Sequence, residues 1–209
     1  MDRSLWEPER YLDFLAARRH LLAQAMNEFI ASWNPGEPTE EVDEAAIRRR
    51  IATGESETWE FKSSLRWDRK EARVNKDLER VVIKTLAGFL NAKKGGTLLL
   101  GVADSGGLTG LGDDYASLPK KDRDGFELHL HQLVARDLGE SISPFLILTF
   151  HELEGHDVCQ VAIEPSDHPV YVPEGQSSAF YLRVGNATRA LPVNEAVRYV
   201  QSRWGGGGA

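Results

Sequence analysis

The sequence predicts a mixed α/β domain of the α+β type, in which a mixed sheet is flanked by helices and preceded by a helical extension. Two observations predict it. Apolar stripes with helical spacing alternate along the chain with short strand-like runs, and the 209 residues, 41% of them hydrophobic, suffice for one sizeable core. We expect the extension over residues 1–38, the domain over 39–204 and a flexible glycine tail over 205–209.

Five segments show the apolar period of an amphipathic helix. The clearest stripe lies between Asn75, a good N-cap, and Asn91. The pattern nearest the N-terminus stops at the Asn34-Pro35-Gly36 breaker. In chain order, the predicted helices cover residues 9–33, 39–52, 75–91, 124–138 and a segment that starts near Pro192.

Two central strands are predicted, one on each side of the 75–91 helix. Residues 58–62 alternate bulky apolar with polar side chains, which turns Glu60 and Lys62 to one face of the strand. Residues 97–102 form a continuous apolar run between glycines, which is typical of a strand buried on both faces.

The second half of the chain predicts an antiparallel part of the sheet. Residues 145–153 and 157–164 look like strands joined by a short connection that contains glycine, which predicts a hairpin. A further short strand is expected over 179–184, followed by a Gly185-Asn186 turn. Residues 113–121 are acidic and lack periodicity, so we expect an irregular loop there.

The charge of the chain is unevenly distributed. With 25 basic and 32 acidic side chains the net charge is −7, which excludes a protein that coats nucleic acid through bulk positive charge. Residues 61–94, however, hold ten basic and only four acidic side chains. Basic side chains at this density either contact a polyanion or merely solvate a helix face. Composition leaves both interpretations open.

Three acidic residues, Glu55, Glu60 and Asp104, flank the two central strands. Glu55 and Glu60 would face opposite sides of an unbroken strand, so we expect Glu55 in the preceding turn. Clustered carboxylates bind hard divalent cations such as Mg²⁺ or Mn²⁺, and Lys62 could offset charge on a reacting phosphate. Carboxylates beside a glycine turn also serve as solvated or capping groups.

Several separated motifs carry a family resemblance. They are Gly54-Glu55-Ser56, Glu60-Phe61-Lys62, Phe89-Leu90-Asn91, the run from Gly95 to Val102 with Asp104, Pro169-Val170-Tyr171 and the stretch from Phe180 to Arg189. In this order and spacing, residues 43–200 resemble the Schlafen AlbA-type domain family. The resemblance implies a mixed α/β, Schlafen-core-like fold associated with nucleic-acid binding.

For Schlafen proteins, the resemblance further implies a metal-dependent endoribonuclease that acts on transfer and ribosomal RNA through three acidic residues. On this chain those residues are Glu55, Glu60 and Asp104, with Mg²⁺ or Mn²⁺ as the metal and Lys62 beside them. Glu55 and Glu60 match the family pattern Glu-x4-Glu-Phe-Lys. The Gly-Val-Ala-Asp turn at Asp104 departs from the Gly-Val-Asp-Asp of many animal members, and many bacterial members resemble DNA-binding regulators.

We therefore expect a nucleic-acid-binding domain that favours RNA over DNA, grips phosphates with basic side chains and stacks a base on Tyr181. The alternatives are a non-catalytic DNA-binding or transcription-regulatory module and, below it, a nucleotide-binding or protein-partner module. The residues around Gly185 are equally typical of a hairpin turn that contacts no ligand. The predicted contact residues are Arg66, Arg69, Lys70, Arg73, Lys76, Arg80, Lys93, Lys94, Tyr181, Arg183 and Arg189.

The sequence also bears on assembly and location. Animal nucleases of this family close their groove with a second lobe, and we expect a homodimer through the 9–33 helix to play that part here. No apolar run reaches the roughly 18 residues that span a bilayer, so we expect a cytoplasmic protein without membrane contact. The single cysteine, Cys159, is predicted to be a buried structural thiol, and the scattered histidines predict no metal site.

Overall fold

The structure is a computed structural model that describes residues 40–205, with side chains from residue 44 onward. The compact unit that holds the sheet begins at Asp43. The helix expected over residues 9–33, the homodimer contact expected through it and the glycine tail after Gly205 lie outside the described residues and stay predictions. Within residues 40–205, no helix has the length and apolar character to cross a membrane.

Helices and strands follow one another in the predicted order. The α-helices are α1 (Glu40–Thr53), α2 (Lys76–Leu90), α3 (Gly112–Ala116), α4 (Arg123–Asp137) and α5 (Val193–Trp204), with a 3-10 helix at Glu140–Phe145. The strands are β1 (Trp59–Lys62), β2 (Trp67–Asp68), β3 (Arg73–Val74), β4 (Gly96–Leu100), β5 (Leu146–Leu153), β6 (His156–Ile163), β7 (Val172–Glu174), β8 (Ser177–Ala179), β9 (Tyr181–Val184) and β10 (Ala187–Ala190). Asn75 caps α2 as predicted, since its side chain accepts a hydrogen bond from the N–H of Asp77 at 3.0 Å.

The central sheet has the strand order β1-β4-β6-β5. β1 and β4 are parallel, with Phe61 opposite Leu99, and α2 lies on the crossover between them. β6 pairs antiparallel with both β4 and β5, which confirms the hairpin predicted for the second half. The sheet is therefore mixed, and the predicted fold class is confirmed.

Both faces of this sheet are covered. Leu98 and Leu100 of β4 pack into a larger core with side chains of α2 and α4, whereas Leu99 faces a smaller core with Ile51 of α1. All three leucines are fully buried, as predicted for the continuous apolar run. Cys159 on β6 is buried in the larger core, and burial raises the pKa of its thiol, so the thiol stays protonated.

The prediction of an irregular loop over 113–121 is wrong for its first residues, because Gly112–Ala116 form α3. Asp114 of this helix is buried, and its Oδ1 accepts hydrogen bonds from the Ser64 hydroxyl at 2.8 Å and the Arg66 N–H at 2.9 Å. Burial raises the pKa of Asp114, and these hydrogen bonds oppose that rise. Ser64 and Arg66 lie 50 and 48 residues before Asp114, so no local sequence pattern predicts these hydrogen bonds.

Three two-stranded pairs lie outside the central sheet: β2 with β3, β7 with β8, and β9 with β10. Only β9, with the Gly185-Asn186 turn that follows it, is predicted from the sequence. The other strands, β2, β3, β7, β8 and β10, have two to four residues each, and the sequence analysis does not predict them.

Asn91, which follows α2, fastens that helix to the closing part of the chain. Its fully buried side chain donates from Nδ2 to the carbonyl oxygens of Val170 at 2.8 Å and Tyr181 at 2.9 Å. Its Oδ1 accepts from the Val170 N–H at 2.9 Å. One buried amide thereby satisfies three backbone groups from two separate segments.

Asn91→Ala should lower the free energy of unfolding by about 3 kcal/mol. The substitution leaves three buried backbone groups without a hydrogen-bond partner and removes packed side-chain volume. Urea denaturation followed by circular dichroism measures the change. The control Asn194→Ala, at an exposed position on α5, should stay within about 0.5 kcal/mol of wild type. An Asn91→Ala variant as stable as this control would contradict the role given to the side chain.

Candidate nucleic-acid interface

The parallel pairing of β1 with β4 brings Lys62 and Asp104 to the same end of the sheet. Lys62 ends β1 opposite Leu100, and its carbonyl oxygen accepts hydrogen bonds from the N–H groups of Gly101 and Val102. Asp104 follows in the turn after β4, where it is 80% exposed, and its Oδ1 lies 4.0 Å from Lys62 Nζ. The predicted proximity of these two residues is therefore present.

Glu60 lies between two cations. Its Oε1 is 2.6 Å from Lys62 Nζ, and its Oε2 is 2.6 Å from Nη1 of Arg183 on β9. The Arg183 side chain is 1% exposed, and its Nη2 donates to the carbonyl oxygens of Ser56 at 2.7 Å and Trp59 at 3.2 Å. Arg183 therefore ties β9 to the segment that leads into β1.

The contact between Arg183 and Glu60 depends on close packing of β9 against α2 at Gly88. The β9–β10 pair packs on α2 at Gly88, where a Cβ would meet the Thr188 side chain at 2.7 Å. A larger residue would push the two elements apart. With glycine there, the Arg183 guanidinium lies over the Phe89 ring, 5.0 Å from its centre, and reaches Glu60.

Glu55 lies in the turn before β1, as the parity argument predicts. Its Oε1 accepts a hydrogen bond from the N–H of Phe61 at 3.0 Å. Among the described strands β1 pairs only with β4, so this N–H belongs to an open strand edge. Glu55 therefore satisfies an edge donor of β1.

The predicted Mg²⁺ or Mn²⁺ site does not fit the arrangement of these acids. Both oxygens of Glu60 are held by cations, one oxygen of Glu55 accepts a backbone hydrogen bond, and Asp104 is mostly in solvent. Over residues 44–205, no three His, Cys, Asp or Glu side chains are placed to hold a metal ion. A divalent cation at Glu60 would lie close to the positive charges of Lys62 and Arg183.

Six of the ten basic side chains in residues 61–94 are ion-paired. Arg66 lies 3.1 Å from Glu79, and Lys84 lies 2.7 Å from Glu174. The other pairs are Lys62–Glu60, Arg69–Asp113, Arg73–Glu71 and Lys94–Glu57. Four of the six acidic partners lie outside residues 61–94. The net positive charge of this segment on the surface of the fold is therefore smaller than its sequence suggests.

Three predicted contact residues, Arg66, Tyr181 and Arg183, have side chains that are largely buried in the structure. The Arg183 side chain is engaged below the surface, and the Arg66 side chain is only 13% exposed. Tyr181 is buried, its hydroxyl donates to Glu174 at 2.7 Å, and Lys84 Nζ lies 5.0 Å from its ring centre. Tyr181 has no free ring face for a base in this arrangement, and all three side chains support the fold instead.

The β2–β3 hairpin presents exposed basic side chains on a preformed turn. Oδ1 of Asp68 accepts hydrogen bonds from the N–H groups of Lys70 at 3.0 Å and Glu71 at 3.2 Å. The bond from Glu71, above all, lowers the pKa of Asp68 and keeps it ionised. Ala72 adopts φ +47°, the left-handed conformation that closes the turn before Arg73.

Within residues 44–205, four exposed cations of the basic segment form no ion pair: Lys70, Lys76, Arg80 and Lys93. Lys76 and Arg80 are one turn apart on α2 and share a face. Arg73 pairs only with exposed Glu71, a contact worth little in water. We call the group Lys70, Arg73, Lys76 and Arg80 the α2–hairpin surface. Lys93 lies past the other end of α2, and Arg189 on β10 is likewise exposed.

Nothing in the sequence singles out Arg136 on α4 as a partner of this surface. Its side chain lines the same cavity as Arg80. The two residues come together only because α2 packs against α4, and no spacing rule connects positions so far apart in the chain.

Arg183→Met and Glu60→Gln should each cost about 3 kcal/mol of stability, because each leaves a largely buried charge without its partner. The double variant should cost at least about 1 kcal/mol less than the sum, since the two residues act as a pair. Urea denaturation of the four proteins measures this coupling. Glu57→Gln, which alters an exposed pair, is the control. Strict additivity would contradict the pairing.

Comparison with known proteins places this arrangement in a family. No curated protein matches the chain significantly. Among solved structures, the DIP2311 protein from Corynebacterium diphtheriae matches with a TM-score of 0.51 at 17% identity, over 90% of this chain and 29% of that one. This chain thus spans less than a third of that protein's length, and the likeness is one of fold.

The family model described as Schlafen, AlbA_2 matches residues 55–192. The match begins at Glu55 and contains β1, α2, β4 and the β9–β10 pair, which are the elements that build the Glu60 ion pairs and the α2–hairpin surface. Because it covers well over half of the chain, this protein belongs to the Schlafen AlbA_2 family.

Proposed function

We propose that this chain binds nucleic acid by contacting phosphates with the α2–hairpin surface. Membership of the Schlafen AlbA_2 family indicates a nucleic-acid-binding domain. One observation carries the finer proposal: in a chain of net charge −7, three exposed cations without ion pairs, Lys70, Lys76 and Arg80, lie on one helix face and the adjoining hairpin. Such cations attract phosphate without first losing an acidic partner.

The surface favours contacts with the nucleic-acid backbone over contacts with bases. Tyr171, at 45%, is the most exposed aromatic side chain in the described residues, and it packs against Phe180. The four side chains that define the α2–hairpin surface are all lysine or arginine, which contact phosphates of any sequence. We propose sequence-tolerant binding, with RNA as the favoured ligand from the family resemblance and DNA binding by a regulatory module as the alternative.

Four phosphate contacts should give a modest dependence on salt. A plot of log binding constant against log salt concentration should have a slope of about −3.6 for a duplex and about −2.8 for a single strand. Lys76→Gln should lower the magnitude of the slope by about 0.7 to 0.9. Fluorescence anisotropy in EDTA, at several KCl concentrations, measures these slopes on matched RNA and DNA.

Lys121→Gln is the control for this measurement, because Lys121 is an exposed cation that lies outside the α2–hairpin surface. It changes the net charge by the same amount as Lys76→Gln and should leave the slope unchanged. Equal weakening by both variants would mean that bulk charge, not the α2–hairpin surface, holds the ligand.

Metal-dependent RNA cleavage is a second candidate function. The observation in its favour is that Lys62 Nζ lies 2.6 Å from Glu60 and 4.0 Å from Asp104, so two of the three predicted acids meet at one cation. Mg²⁺ or Mn²⁺ at Glu60 would lie close to Lys62 and Arg183, whose positive charges oppose its binding. We therefore rank binding without cleavage first.

Incubation of the protein with total tRNA in Mn²⁺, Mg²⁺ or EDTA decides between these functions, and we expect intact RNA in all three. Asp104→Asn is the cleanest variant, since Asp104 is 80% exposed and its change should not affect folding. Metal-dependent cleavage that is lost in both Asp104→Asn and Glu60→Gln would establish the endoribonuclease. Cleavage that both variants retain would identify a contaminant.

A further inference from the structure

A cavity of about 230 Å³ lies between α2, α4 and the β7–β8 hairpin. Ile83 and Val172, both buried, form its apolar walls. Arg80 from α2 and Arg136 from α4 also line it. Arg80 and Arg136, which come from different helices, thus line one recess that opens to solvent, where the Arg136 side chain is 60% exposed.

Both guanidinium groups have free donors. Arg80 forms no hydrogen bond or ion pair within residues 44–205. Arg136 donates from Nε and Nη2 to Asp137, each at 2.7 Å, which fixes its orientation and leaves Nη1 unused. A planar guanidinium held in this way is prepared for the oxygen atoms of a phosphate.

The acidic groups nearby already have partners. Asp137 pairs with Arg136, and Glu174 pairs with Lys84 at 2.7 Å. The hydrogen bond from Lys84 lowers the pKa of Glu174 most, and Arg80 adds a smaller effect from a distance. Arg80 is therefore the excess positive charge at the cavity, and an anion would balance it.

We propose that this cavity binds a terminal phosphate monoester, at the end of a nucleic-acid strand that lies along the α2–hairpin surface. The proposal rests on the proposed function, because Arg80 belongs both to that surface and to the cavity. A cavity of about 230 Å³ has room for one phosphate group. A terminal phosphate also carries about −1.5 to −2 charge and three acceptor oxygens, whereas an internal phosphodiester carries one charge.

The test compares one oligonucleotide with a 5′-phosphate, a 3′-phosphate or hydroxyl ends, in EDTA at fixed ionic strength, by fluorescence anisotropy. One phosphorylated form should bind about tenfold more tightly than the hydroxyl form. In Arg80→Gln and Arg136→Gln this ratio should fall to about one. Lys76→Gln should weaken all forms and keep the ratio, and Arg198→Gln, on α5, should change neither.

Inorganic phosphate tests the cavity without nucleic acid. It should raise the melting temperature of wild type, relative to chloride at equal ionic strength, but not that of Arg80→Gln or Arg136→Gln. Equal binding of all oligonucleotide ends with no phosphate effect would overturn the inference and leave the proposed function standing. A phosphate effect that needs both arginines, with no nucleic acid bound in any form, would overturn the proposed function and the strand-end ligand, leaving a site for free phosphate esters.

Discussion

The ion pair between Arg183 and Glu60 joins the two ends of the family domain. Glu60 belongs to β1 at the start of the matched region, and Arg183 belongs to β9 near its close. A guanidinium that is 1% exposed requires a carboxylate and carbonyl oxygens around it, and Glu60, Ser56 and Trp59 supply them. The two motifs that are most separated in the sequence are therefore one structural unit.

The Arg183–Glu60 ion pair also constrains the residues around it. Lys62 balances the second oxygen of Glu60 and approaches Asp104 at the end of the parallel strands. The carboxylate at the centre is held by two cations and so links β9 to β1. Gly88 is part of the same constraint, because only a residue without a Cβ lets β9 and β10 lie close enough to α2.

The basic segment shows how far charge along a sequence differs from charge on a surface. Three of its ten cations pair with acids from distant parts of the chain: Arg69 with Asp113 of α3, Lys84 with Glu174 of β7, and Lys94 with Glu57. Within residues 44–205, Lys70 on the β2–β3 hairpin and Lys76 and Arg80 on α2 form no ion pair, and neither does Lys93 past the end of that helix. A protein of net negative charge can in this way present a local site for phosphate.

The sequence by itself determined the elements whose signals are local. The apolar stripe and the Asn75 cap define α2, the glycine-bounded apolar run defines β4, and parity places Glu55 before β1. The mixed sheet follows from these elements and the β5–β6 hairpin. Only the tertiary structure decided that Tyr181, Arg66 and Arg183 are engaged inside the fold, that Asp114 of α3 binds Ser64 and Arg66, and that Arg80 and Arg136 share a cavity. The physical reason is that periodicity and capping act between neighbours in the chain, whereas burial and ion pairing depend on packing between distant segments.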